Sequence, residues 1–135
     1  MKIPNHALFE HIRTKYHLSL ILLHGSQVTG LLHDKSDIDI AVLSSDQDGK
    51  IQIGSLMTDL TEIFENNHID ITNLNHADPL LLKTVTSSAQ LLSGSKSDFD
   101  NLQNYAFHTY NDYLPYLHYE ANFVRSILWI LLTTR

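Results

Sequence analysis

The residues of this sequence best suited to chemistry are a glycine-serine pair and three aspartates. Gly25-Ser26 is followed, after ten intervening residues, by Asp37-Ile38-Asp39, and Asp70 lies farther along the chain. Residues i and i+2 of a strand point to the same face, roughly 7 Å apart at the backbone, so Asp37 and Asp39 can share a cation. A third carboxylate at the same level of a neighbouring strand would complete an oxygen-rich site for Mg²⁺, which binds carboxylates together with substrate phosphates. The alternative is a strand end in water, with no ligand.

The glycine-serine pair fits the same chemistry. Glycine at a strand end lets the backbone approach a phosphate, and the Ser26 hydroxyl and nearby N–H groups can donate hydrogen bonds to it. Ser26 can also cap a helix, and the two roles are compatible. For the adjacent His24, packing or hydrogen bonding within the protein is favoured over contact with a nucleotide. Together, the pair and the aspartates predict a nucleoside-triphosphate site.

Alternating patterns predict the elements that position these residues. A helix is expected up to His17, with Leu8, Ile12 and Tyr16 on its buried side. Three strands are expected at 18–23, 37–43 and 68–74, the last two with carboxylates on one face and isoleucines on the other. Helices are expected from Ile53 and from the Asp78-Pro79 start signal, and a short edge strand at 90–94.

The C-terminal third predicts helices with an apolar side. Ser97 opens a polar-capped helical segment, and Pro115 is expected to break it into two. The apolar residues of the second piece fall on one side at helical spacing: Leu117, Ala121, Val124, Leu128 and Leu131. Tyr105, Tyr110, Tyr113, Tyr116, Tyr119 and Trp129 accompany few basic residues, so core packing or a protein interface is favoured over RNA stacking.

Length and composition limit the organisation and the partners. The 135 residues predict one domain, 1–135, with its core at 18–95 and a helical segment at 97–135. Helix–strand alternation favours an α/β (α+β) fold. Nine Lys and Arg against fifteen Asp and Glu give a net charge of −6, so direct nucleic-acid binding is not expected. No cysteine is present, which excludes disulfides and thiolate metal sites. Neither a leader nor a membrane-spanning run is recognised, so a cytoplasmic location is expected.

The combination of Gly25-Ser26, Gly30, Ser36-Asp37-Ile38-Asp39 and Asp70 resembles the nucleotidyltransferase superfamily that shares the polymerase β palm. The short chain is similar to the minimal nucleotidyltransferases (MNT), the antitoxin half of HEPN/MNT toxin–antitoxin pairs. The resemblance covers roughly residues 18–95 and implies a small mixed sheet flanked by helices, followed by a helical C-terminus.

The resemblance also implies a reaction. Asp37 and Asp39 would hold two Mg²⁺ ions, Asp70 would hold the catalytic metal and help activate the acceptor hydroxyl, and Gly25 and Ser26 would seat the β and γ phosphates of ATP. A type VII-like antitoxin of this kind transfers AMP from Mg-ATP to a tyrosine of its HEPN ribonuclease toxin. The toxin is expected to dock on the C-terminal aromatic and apolar segment.

Two alternatives remain open at this stage. One is an antitoxin that acts by binding without catalysis, and the other is a nucleotidyltransferase for a small molecule. The turn Gln27-Val28-Thr29-Gly30 also departs from many relatives, which carry a basic residue there. The triphosphate charge would then be met by Lys35, by metal ions or by a side chain of the partner.

Overall fold

A computed structural model describes residues 3–25 and 37–133. In chain order these ranges contain α1 (His6–Lys15), β1 (Leu18–His24), β2 (Ile38–Ser44), α2 (Ile53–Phe64), β3 (Ile69–Asn73), a short 3₁₀ turn (Leu74–His76), α3 (Pro79–Ser88), β4 (Gln90–Ser93) and α4 (Lys96–Thr133). The predicted strands and the two helix starts at Ile53 and Pro79 are confirmed. Asp78 caps α3 as expected, because its side chain accepts a hydrogen bond from the Leu81 N–H at 2.8 Å.

The four described strands form one mixed sheet in the order β3-β2-β1-β4. Strand β1 runs antiparallel to both β2 and β4, whereas β2 and β3 are parallel. Strand β4 lies at the edge, as its sequence predicted. This arrangement confirms the expected α/β (α+β) class with a small mixed sheet and flanking helices.

The two faces of the sheet carry separate apolar cores. On one face, β1 and β2 pack against residues of α1 and α2, including Phe9, Ile12, Leu56 and Leu60. On the opposite face, alternate residues of the same strands pack against α3 and the first turns of α4. Both central strands are therefore buried on two sides, so their backbone positions are fixed and can hold a site at their ends.

Helix α1 and the residue after it confirm two of the three predicted buried positions, Ile12 and Tyr16, but not Leu8. Phe9 and Ile12 are buried, whereas Leu8 is 45% exposed. The expectation for Leu8 was therefore wrong. The prediction assumed a helix that continues through Tyr16, but α1 ends at Lys15. The Tyr16 hydroxyl donates a 2.7 Å hydrogen bond to Asp59 of α2.

A polar cluster attaches α1 to the edge strand β4. Glu10 accepts hydrogen bonds from Arg13 and from the Ser93 hydroxyl, both at 2.6 Å, and Arg13 Nε donates to Ser93 Oγ at 2.9 Å. The hydrogen bonds from Arg13 and Ser93 lower the pKa of Glu10 from 4.5 to about 2. The folded protein thus stabilises the ionised form of the Glu10 carboxyl group.

We expect Glu10→Gln to lower the melting temperature at pH 7 and to have little effect near pH 2. Because the pKa of Glu10 is depressed in the folded protein, its ionised form contributes stability above pH 4.5, and this contribution is lost as the pH falls towards 2. Thermal denaturation of both proteins at several pH values between 2 and 7 measures the difference. Glu62→Gln, at an exposed position of α2, is the matched control. An equal effect of Glu10→Gln at pH 2 and pH 7 would contradict this account.

Helix α4 corrects the expectation that Pro115 divides the C-terminal segment. The helix continues from Lys96 to Thr133 with Pro115 inside it. Proline removes the N–H that would bond the carbonyl of Asn111, yet both residues are exposed, so water can satisfy that carbonyl. Only Leu102 and Ala106 of α4 are buried, so the helix packs on the body through its first turns.

Within residues 3–25 and 37–133, none of the helices combines the length and the apolar character that crossing a membrane requires.

Candidate functional site

A row of polar side chains crosses three adjacent strands. His24 of β1 is the register partner of Asp39 of β2, and Asp39 is in turn the register partner of Asp70 of β3. Directly opposed residues of neighbouring strands project to the same face of a sheet, so the three side chains lie side by side. They occupy the face that α3 and α4 cover elsewhere, beyond the end of its apolar core.

The sequence of the two parallel strands dictates this orientation. Ile38 and Ile40 are fully buried in the core that α1 and α2 cover, and Ile69 is buried on the same side. Because side chains alternate along a strand, burial of the isoleucines places Asp39 and Asp70 on the opposite face. The alternation of isoleucine and aspartate thus places the isoleucines of these strands in the core and their aspartates in the site.

Asp39 is the central member of the row. Its side chain is half-buried, and this burial raises the pKa of its carboxyl group. The nearby His24 opposes the rise, whereas the negative charges of Asp70 and Asp37 add to it. In the part of the chain that the structure describes, no lysine or arginine lies within ion-pair distance of Asp39 or Asp70. The described site therefore concentrates negative charge that a bound cation would stabilise.

Gly25 brings the backbone directly against the Asp39 carboxylate. Its φ of +77° lies in the left-handed region, which favours glycine. A Cβ atom at this position would overlap Oδ2 of Asp39 and lie 3.2 Å from its Cγ. The conformation thus favours glycine, and a side chain at position 25 would displace the Asp39 carboxylate.

Asp37 lies at the solvent side of the row. It precedes β2, its side chain is 68% exposed, and its Oδ1 is 3.9 Å from Nδ1 of His68. Within the described ranges, no three His, Asp or Glu side chains are grouped at the spacing of a metal site. The chemistry of the donor set nevertheless fits Mg²⁺, because Asp39 and Asp70 present adjacent carboxylates whose charge no described cation neutralises.

His24 is the member of the row that sequence analysis did not assign. Its Nε2 is buried and has no hydrogen-bond partner among the described residues. Burial lowers the pKa of His24, although the charges of Asp39 and Asp70 oppose this. Its strand parity with Leu20 and Leu22 gives its face, but only the pairing of β1 with β2 places it beside Asp39.

The remaining predicted residues cannot be placed in this geometry. Ser26, Gly30, Lys35 and Ser36 lie outside the described residues, as does the turn 27–30 without a basic residue. Of the five residues expected to form the site, the structure brings Gly25, Asp39 and Asp70 together, with Asp37 beside them.

The sequence of this chain is similar to those of known proteins. A family model described as polymerase beta, nucleotidyltransferase, matches residues 8–98. Protein adenylyltransferase MntA of Shewanella oneidensis is 35% identical over 81 residues, which are 60% of this chain and 58% of MntA. The match therefore spans less than two thirds of the length of that relative.

Solved structures resemble the fold over most of its length. A crystal structure of a toxin–antitoxin with AMP-PNP has a TM-score of 0.74 at 25% identity, covering 90% of this chain and 98% of the other. A complex of tri-AMPylated Shewanella oneidensis HEPN toxin with MNT antitoxin has a TM-score of 0.65 at 23% identity, covering 90% and 99%. The family model includes β1, β2, β3 and the row of side chains that they carry. This chain belongs to the polymerase beta nucleotidyltransferase family.

Proposed function

We propose that this protein is an antitoxin that transfers AMP from Mg-ATP to a tyrosine of a HEPN ribonuclease toxin. The reaction joins the tyrosine oxygen to the α-phosphorus of ATP, and the bond to the β-phosphate breaks with release of pyrophosphate. Because the reaction consumes ATP, we place it in the cytoplasm.

One observation carries the proposal. Asp39 and Asp70 are paired in register on neighbouring parallel strands, and the backbone of Gly25 contacts the Asp39 carboxylate. Gly25, where the backbone could approach a phosphate, therefore lies beside two carboxylates that lack a described positive partner. The similarity to a protein adenylyltransferase and to a toxin–antitoxin solved with AMP-PNP supports ATP as the nucleotide.

Each residue has a proposed role. Asp37 and Asp39 would hold two Mg²⁺ ions together with the triphosphate, and Asp70 would share the metal nearer the acceptor. When bound, the ions stabilise the negative charge that develops on the attacking and leaving oxygens. Gly25 and Ser26 would seat the β and γ phosphates, and the Asp70 carboxylate would accept the proton of the tyrosine hydroxyl as its oxygen becomes the nucleophile.

We assign different functions to the two parts of the chain. Residues 18–95 of the single domain form the nucleotidyl-transfer core, and the C-terminal segment 97–135, with its aromatic and apolar residues, contacts the toxin. Exposed Tyr116, Phe123 and Trp129 on α4 support an interface at this segment, since aromatic residues are enriched in interface cores.

The test is transfer of label from α-labelled ATP in the presence of Mg²⁺. The protein is incubated with the HEPN protein encoded by the adjacent reading frame, and mass spectrometry then locates AMP on the products. We expect label on a tyrosine of the partner, dependent on Mg²⁺ and on both proteins.

Two other outcomes would overturn parts of the proposal. A stable complex without label, with ATP bound, would indicate an antitoxin that acts by contact alone. Turnover on small hydroxyl compounds without the partner protein would indicate a small-molecule nucleotidyltransferase.

A further inference from the structure

The C-terminal part of α4 has an apolar surface that nothing in the described chain covers. At 1.5 Å per residue, residues 107–133 extend about 40 Å past the last buried position, Ala106. No described residue of α4 after Ala106 is buried. Large apolar side chains there are widely exposed, with Val124 at 54%, Leu128 at 51% and Leu131 at 68%. A surface of this kind marks a site for another molecule.

The uncovered surface continues the stripe by which α4 packs on the body. Leu102 and Ala106 contact α3 in the second core, together with Leu82 and Val85. Steps of three and four residues extend this stripe along the rest of the helix through Tyr110, Tyr113, Leu117, Ala121, Val124, Leu128 and Leu131. A molecule bound to this stripe therefore lies on the same side of α4 as α3, but farther along the helix. We call these seven residues the distal stripe.

The exposed apolar surface is wider than the distal stripe. Phe123, Ile127 and Ile130 flank it on one side and Leu132 on the other, and all are exposed. A polar strip lies opposite, at about 140° to 180° from the centre of the stripe, and contains Asn122, Ser126 and Thr133. A helix that is apolar over more than half of its circumference fits a groove better than it fits a single facing helix.

A second copy of this chain does not satisfy the surface. In a parallel pair, the partner helix would occupy the side of Leu102 and Ala106 on which α3 already packs. In an antiparallel pair centred on the distal stripe, Glu120 would meet Glu120 of the second copy near the symmetry axis. Like charges in that position are unfavourable. This repulsion disfavours a second copy as the occupant relative to a protein that presents a basic residue there.

We propose that the distal stripe inserts as a helix into an apolar groove of the HEPN toxin, about 35 Å long, with a basic residue facing Glu120 and an acidic residue facing Arg125. The identity of the occupant depends on the proposed function, whereas the binding mode follows from the surface of α4. Both structures compared above are toxin–antitoxin assemblies, and their matches cover 90% of this chain.

The test compares two variants with the same added charge on the same helix. Leu128→Glu places a carboxylate in the distal stripe, and Ser126→Glu places one on the polar strip. We expect Leu128→Glu to raise the Kd for the HEPN protein from the adjacent reading frame on the order of 100-fold, and Ser126→Glu to change it less than about threefold. Both side chains are exposed, so folding of the body is preserved. Circular dichroism and ATP binding by the isolated protein verify this.

The possible outcomes test the docking mode of α4 and the proposed AMP transfer separately. Equal Kd values for wild type and Leu128→Glu would overturn the docking mode, whether or not AMP is transferred. A dimer of the isolated chain that Leu128→Glu dissociates would assign the stripe to a second copy and overturn the proposal. Loss of binding in Leu128→Glu, in a pair for which even the wild type transfers no label, would support the surface and contradict only the proposed reaction.

Discussion

For the proposed reaction, Asp39→Asn is expected to lower AMP transfer roughly 10³-fold or more while leaving the fold and the proposed toxin complex intact. Asparagine has nearly the same shape but removes the charge at the centre of the row, next to Asp70 and against Gly25. Electrostatic groups placed where charge develops in a transition state contribute effects of about this size. The rate is measured with α-labelled ATP and the toxin, and the complex by size-exclusion chromatography.

Stability gives a second measurement for the same variant. Asp39 is half-buried and repelled by Asp70 and Asp37, so its charged form costs folding free energy at neutral pH. We therefore expect the melting temperature of Asp39→Asn to equal or exceed that of the wild type. Asp100→Asn, at an exposed position whose side chain accepts a 3.4 Å hydrogen bond from Lys96, is the matched control for both measurements. Full activity in Asp39→Asn would remove this residue from the proposed site.

Gly25→Ala is expected to reduce activity more than 100-fold and to destabilise the protein by about 1–3 kcal/mol. Alanine at a φ of +77° is strained, and its Cβ would overlap the Asp39 carboxylate. The variant thus displaces the aspartate that the site needs and strains the turn after β1. Urea denaturation and the labelled-ATP assay measure the two effects separately.

Gly54→Ala provides the comparison for this substitution. Gly54 lies in the first turn of α2, and a Cβ there meets nothing within 4 Å. Alanine favours a helix over glycine by roughly 0.5–1 kcal/mol, so this variant should be as stable as the wild type or more so, with unchanged activity. Similar losses in both glycine variants would show that the contact between Gly25 and Asp39 is not the cause.

The alternation of isoleucine and aspartate was sufficient to predict the faces of β2 and β3. Periodicity requires that Asp39 and Asp70 point away from the buried isoleucines, and the structure agrees. Periodicity within one strand contains no information on which residues of two strands lie opposite each other. The alignment of His24 with Asp39 depends on the hairpin between β1 and β2, so it could not be derived from the strand patterns.

Two local errors have a common physical cause. Leu8 was placed on the buried side of α1, and Pro115 was expected to end a helix, because both predictions treated each segment in isolation. The side of α1 that is buried depends on where the sheet lies, and Phe9 fills that space. A proline is tolerated inside α4 because the carbonyl that it leaves unbonded faces water. Tertiary surroundings decided each case.

The projection of α4 beyond the body has a consequence for the lifetime of the protein. After Ala106 no described residue of α4 is buried, so this part of the helix has little of the tertiary packing that stabilises most helices, and Pro115 removes one of its backbone hydrogen bonds. Such a segment unfolds locally at much lower free energy than the sheet, and proteases cleave chains where they unfold locally. The free protein is therefore expected to be degraded from this end first, and a partner seated on α4 to protect it. Turnover in the cell would then report how much of the proposed partner is available for pairing.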